Sequence, residues 1–246
     1  MTGVLVASAL VAGAIALSAA TRMGLERELA VTAVRAAVQL TAVGAIVAVV
    51  FEHAGLAWVF VAVMLGAASW TSGRRMRGTR AATARAVAAI GGGAAVALVP
   101  LLASGAFDTR PRELVPIAGI LIGGAMVATS VTGRRVIERA DEDRAGVETR
   151  LALGASVPEA LAPAARAAVA TAMIPILDQT KNVGLVTLPG TFVGLILGGA
   201  SPAEAARVQL TVLLALLAVE LVSGLAAARL TIAGLRAPGE RVVVSP

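Results

Sequence analysis

The sequence predicts an all-α, polytopic transmembrane helix bundle of about seven spans, and three observations carry that prediction. Of its 246 residues 58% are hydrophobic and the mean hydropathy is +0.87, where soluble domains hold roughly 45–50% apolar residues. Charged residues make up 15% of the chain and gather in clusters. Between those clusters the apolar runs approach the roughly 20 residues that a helix needs to cross a bilayer. Strand-like alternation is absent, and the chain has no tyrosine for the aromatic girdles of a β-barrel. Helices also satisfy their own backbone polar groups, as lipid requires.

Seven apolar segments follow in order: residues 3–20, 34–50, 56–70, 82–103, 114–131, 185–200 and 206–230. The first is read as a retained span, not a signal peptide, because no basic residue precedes it and Arg22 and Arg27 follow it. Charge sets the orientation. With the N-terminus outside and the C-terminus cytoplasmic, 18 of the 21 basic residues lie on the inner side and only Arg110, Arg112 and Arg207 lie outside. The expected location is the plasma or inner membrane, multi-pass, as a single domain over 1–246. Residues 132–182 form a long, charge-balanced segment read as cytoplasmic.

Composition also removes function classes. With no cysteine and a single histidine, His53, thiolate metal sites, cysteine nucleophiles and a Ser–His–Asp triad have little to build on. No Gly-rich loop ending in Gly-Lys-Ser/Thr is present, so ATP is expected on another chain and no cofactor on this one. The net charge of +6 comes with only 2% aromatics and sits beside apolar runs, which speaks for membrane topology and against nucleic acid. No catalytic residue set stands out.

Within the charge-balanced segment, Glu148 is followed six residues later by Gly154. A glycine there permits a sharp elbow between two helices, and an acid on the first arm suits docking in a partner's groove. Ser156 and Pro158 then restart a helix. Alone, this spacing is unspecific, and a solvated surface helix is the plainer account. Further on, Met173-Ile174-Pro175, Asp178, Lys181, Val183-Gly184-Leu185-Val186 and Leu188-Pro189-Gly190 place prolines, glycines and charges beside an apolar run. Interrupted helices of that kind line transport pathways.

These motifs, with Ser201-Pro202-Ala203-Glu204-Ala205, Val208-Gln209-Leu210 and Arg35-Ala36-Ala37-Val38-Gln39-Leu40, resemble ABC-transporter permeases related to the bacterial iron exporter FetB and the plant aluminium-tolerance permeases. The resemblance covers nearly the whole chain. It implies a permease subunit that works as a homodimer in the lipid bilayer, exports iron or another metal ion, and is driven by a separate ATPase subunit. Glu148 and Gly154 would then belong to the element that docks on that ATPase. The residues themselves name no metal-ligand set.

Candidate pathway or gate residues are Asp178, Lys181, Asn182, Pro189, Gly190, Glu220, Gln39 and Gln209. Asp178 and Lys181 share a helical face, where a local ion pair is the plainer role than a gate. Asn182 can bond to the backbone of the same turn. Gln39 and Gln209 stand in matching Val-Gln-Leu-Thr tetrapeptides, a pattern that chance also produces in so Ala/Val/Leu-rich a chain. Glu220 lies inside the last apolar run, where an ionisable group costs roughly 2.5–3.5 kcal/mol and is expected to face the bundle interior. A second reading, a secondary ion-coupled transporter, would make Glu220 the ion site.

Overall fold

The computed structural model describes residues 2–76, 79–237 and 241–242. The chain divides into two compact units, Met1–Ala54 and Gly55–Pro246. The first unit is a helical hairpin of α1 (Thr2–Thr21) and α2 (Glu26–Val50). Its turn is drawn tight by Ser18, which donates to Glu26 Oε1 at 2.8 Å and accepts the Leu25 N–H at 3.1 Å. Glu26 and Glu28 in the first turn of α2 complement the helix dipole.

The second unit begins with α3 (Ala54–Met76) and α4 (Arg80–Ala103), then the 32-residue α5 (Pro111–Glu142). The short α6 (Arg144–Ala152), α7 (Val157–Asn182), the eight-residue α8 (Gly190–Leu197) and the 34-residue α9 (Pro202–Leu235) complete it, with a two-residue antiparallel ladder of β1 (Arg236–Ala237) and β2 (Arg241–Val242). The starts of α4, α5 and α9 carry side-chain caps or a first-turn proline. Thr79 accepts the Ala82 N–H at 3.0 Å and Ser201 the Glu204 N–H at 3.2 Å, while Pro111 and Pro202 occupy the first helical turn.

α5 and α9 form the axis of this unit, with α4 and α7 packed on both. One core cluster joins Ile90, Leu121, Leu213 and Val219. A second joins Val136, Val147, Val157, Leu161 and Ile232, and so ties α6 to α5, α7 and α9. Glycines let the helices approach closely. A Cβ on Gly93 would collide with Ser223, and one on Gly133 with Met76. The GxxxG spacings Gly119…Gly123 and Gly194…Gly198 do less, since a Cβ on Gly123 or Gly194 would meet open space.

Seven helices among the described residues are long and apolar enough to cross a membrane, and they are α1, α2, α3, α4, α5, α7 and α9. The number matches the sequence expectation, but the sixth member does not. The run 185–200 was expected to span. Instead Gly184 (φ +79°), Pro189 and Gly199 (φ +95°) interrupt it and leave only α8, about 12 Å of helix. Its place is taken by α7, at 26 residues about 39 Å long. Consequently residues 157–182, expected in the cytoplasmic segment, belong to a helix of crossing length. Arg166, Asp178 and Lys181 had masked α7 by breaking its apolar run.

Candidate functional site

Two features of the second unit concentrate the chemistry-bearing residues. They are an elbow between α6 and α7 and a polar seam where α9 meets α4 and α5.

The elbow is built by backbone geometry. α6 ends at Ala152, and Gly154 takes φ +93°, a left-handed conformation that favours glycine. The Gly154 N–H donates to Leu151 O at 3.0 Å and the Ala155 N–H to Arg150 O at 3.0 Å, the paired bonds of a Schellman terminus. The chain then re-enters helix at Ser156, whose N–H and hydroxyl donate to Glu159 Oε2 at 2.8 and 2.6 Å. Arg150 braces the turn by donating to Ala160 O and Asp143 Oδ2, both at 3.0 Å. Beneath it, Val147 and Val157 are buried. On its outer side Leu153 is 84% exposed, and Glu148 faces solvent in a 3.0 Å pair with Arg144. The elbow thus sets an exposed apolar tip on a braced base.

The seam follows one face of α9. Gln209, Glu220, Ser223 and Thr231 are all buried there. Glu220 is 7% exposed and, among the described residues, receives no hydrogen bond or ion pair. It sits near the middle of α9, opposite Gly124 of α5, where an added Cβ would come within 3.0 Å of its Oε1. Gln209 Oε1, Ser223 Oγ and the hydroxyls of Thr129 and Thr132 on α5 are also buried without a partner. Nearby, the Ser72 and Ser130 hydroxyls share a 2.7 Å hydrogen bond between α3 and α5. Unsatisfied oxygens inside a helical core are costly. Together with Glu220 they give the interior of this unit a set of buried oxygen groups. Thr129, Thr132 and Ser223 escaped the sequence reading, although a hydroxyl three residues from Thr129 and another three from Glu220 was the visible sign.

The remaining candidates scatter. Asp178, Lys181 and Asn182 are exposed near the C-terminal end of α7, about 32–38 Å along the helix from Val157. The expected Asp178–Lys181 ion pair is absent among the described ion pairs, both side chains being solvated; Asn182 does bond locally, its Nδ2 donating to Asp178 O at 2.9 Å. Pro189 caps α8, with Gly190 as its first residue. A cavity of about 440 Å³ lies beside α8, lined by Arg112, Glu113, Glu204 and Arg207. Gln39 is exposed on α2 in the first unit, whereas Gln209 is buried, so the matching tetrapeptides occupy unlike environments. No group of three or more His, Cys, Asp or Glu that could hold a metal occurs among the described residues.

Seven helices of crossing length, with an elbow and a buried polar seam in the second unit, define a multi-pass membrane protein. The comparisons sharpen that class: the chain belongs to the uncharacterised protein family UPF0014, which it matches over residues 1–235. It is 38% identical to the UPF0014 membrane protein STAR2 of Oryza sativa subsp. japonica over 221 residues, 89% of this chain and 78% of that one. Protein ALUMINUM SENSITIVE 3 of Arabidopsis thaliana is 34% identical, covering 81% of this chain and 74% of its own. The probable iron export permease protein FetB of Escherichia coli K12 is 33% identical over 90% of this chain and 86% of its own. No solved structure matches.

Proposed function

We propose that this chain is the membrane subunit of an ABC exporter, works as a homodimer, moves iron or another metal ion, and is energised by a separate ATPase that docks on the α6–α7 elbow. The observation that carries this reading is the elbow itself: an exposed Leu153 and Glu148 on a turn braced into the bundle by Val147, Val157 and Arg150. A partner pressing on Leu153 pushes a body whose buried face contacts α5, α7 and α9 together. Of these, α5 and α9 carry the seam, so a push at the elbow reaches Glu220 through packed side chains.

The cargo assignment draws on FetB, a probable iron export permease by its name. The seam agrees with it in chemistry, since carboxylate, amide and hydroxyl oxygens suit hard cations. Orientation follows the charges. With α7 crossing the membrane, Lys181 moves to the outer side, and 17 basic residues remain inside against four outside. The elbow is then cytoplasmic, Asp178–Asn182 and α8 are outer, and the coupling element contracts to about residues 143–156. Asp178, Lys181, Asn182, Pro189 and Gly190 become parts of an outer gate, while Gln209 and Glu220 line the path.

The test is copurification of the tagged chain from its native membranes. An ATP-hydrolysing partner should come with it and be lost on Glu148→Arg combined with Leu153→Asp. Retention of the partner by a well-folded double variant would refute the elbow as the docking site.

A further inference from the structure

A groove of about 610 Å³ opens on the surface of the second unit between the start of α7 and the end of α9. Its walls are apolar, formed by Ala162, Ala165 and Val169 on one side and Leu225 and Ala228 on the other. Arg236 lines its end, and two further cations, Arg166 and Arg229, enter it from opposite walls. Neither makes an ion pair or hydrogen bond with any described residue.

Their depth makes that isolation informative. Arg166 lies nine residues into α7, about 14 Å along its axis, and Arg229 lies six residues before the end of α9, about 9 Å. Both sit inside helices of crossing length. A guanidinium at or below the membrane surface needs an anion or a route to water. Four other arginines near this end have such anions within the chain: Arg134 and Arg135 pair with Glu138, Arg144 with Glu148 and Arg150 with Asp143, while Arg85 and Arg139 have none among the described residues. The surrounding medium offers the missing partner, because a phospholipid presents a phosphate at that level and acyl chains below it.

We propose that this groove is a binding site for an anionic phospholipid. The headgroup phosphate bridges Arg166 and Arg229, with the forked guanidinium geometry that suits phosphate oxygens. One acyl chain lies along Ala165, Val169 and Leu225. The small side chains of α7 leave the trough, and the arginines fix the lipid at one height. A lipid held there joins α7 to α9 beside the second core cluster, and so stiffens the base on which the elbow rests. The assignment needs only that the helices cross a membrane, and it stands or falls apart from the ATPase and cargo readings.

Native mass spectrometry of the full-length chain in neutral detergent, titrated with phosphatidylglycerol or phosphatidylcholine, tests the site. Phosphatidylglycerol should be retained as a discrete adduct in preference to phosphatidylcholine. In the Arg166→Gln/Arg229→Gln variant its affinity should fall about thirty-fold, the factor for two arginines contributing about 1 kcal/mol each. Ala165→Phe keeps both charges, fills the trough and should also weaken retention. This second variant separates loss of the site from misfolding caused by removing charge. Equal retention of the two lipids, undiminished retention in both variants, or a crosslink placing a second copy of the chain in the groove would overturn the proposal.

Discussion

Substitution at Gly154 probes the elbow directly. A Cβ placed on Gly154 meets nothing within 4 Å, so no steric contact contributes to the cost. What remains is torsional. At φ +93° an L-residue is strained, by about 1–2 kcal/mol for alanine, more for a β-branched residue and less for asparagine. A strain of that size multiplies the open population of the elbow by about 5–30. The opened turn releases Arg150 from Ala160 and Asp143, which exposes the bond after Arg150 to trypsin. Cleavage there should therefore quicken in the order Gly, Asn, Ala, Val, by about 5–30-fold for Ala when opening is fast relative to cutting. The assay is limited trypsinolysis of purified protein, followed by the 150/151 fragment. A Gly154→Val protein cleaved no faster than the parent would refute the left-handed elbow.

Further outcomes follow from the same structure. Gly93→Ala should lower the melting temperature in detergent, because its Cβ strikes Ser223 and approaches Val219 O at 3.2 Å, an overpacking of about 1–3 kcal/mol. The neighbouring Gly92→Ala meets open space and should match or exceed the parent, so equal losses in the two would contradict the α4–α9 contact. Glu220→Leu should yield a folded, membrane-inserted protein with no transport, measured as metal retained by cells; unimpaired export would remove Glu220 from the path. Since the chain lacks cysteine, Leu153→Cys and Leu185→Cys give unique labels at highly exposed positions. An impermeant thiol reagent added to intact cells should modify Cys at 185 and spare Cys at 153, and labelling of both from one side would contradict α7 as a crossing helix.

Much of this architecture was legible in the sequence because lipid imposes a single strong rule on length and apolarity. α1 to α5 and α9 are long, nearly unbroken apolar runs, and they were found. α7 was not, since Arg166, Asp178 and Lys181 split its pattern while alanines lower its contrast with a surface helix. Its replacement by 185–200 shows the opposite error: apolar residues alone suggested a span where Pro189 and the glycines at 184, 198 and 199 prevent a long helix. The elbow was readable from Glu148, Gly154 and Ser156, as glycine and serine have local meanings that survive packing. Glu220 was readable too, an acid in an apolar run having few places to go. The hydroxyls of Thr129, Thr132 and Ser223 were not, because such side chains commonly bond to their own helix backbone. Only the packing reveals that these do not.

The central claim is that a separate ATPase drives this chain through the elbow. Copurification from native membranes, scored by ATP hydrolysis in the eluate, measures it most directly. The account predicts a stoichiometric ATPase with the parent chain and its loss with Glu148→Arg/Leu153→Asp, the variant remaining folded and inserted. A parent chain that elutes alone and without ATPase activity would contradict it.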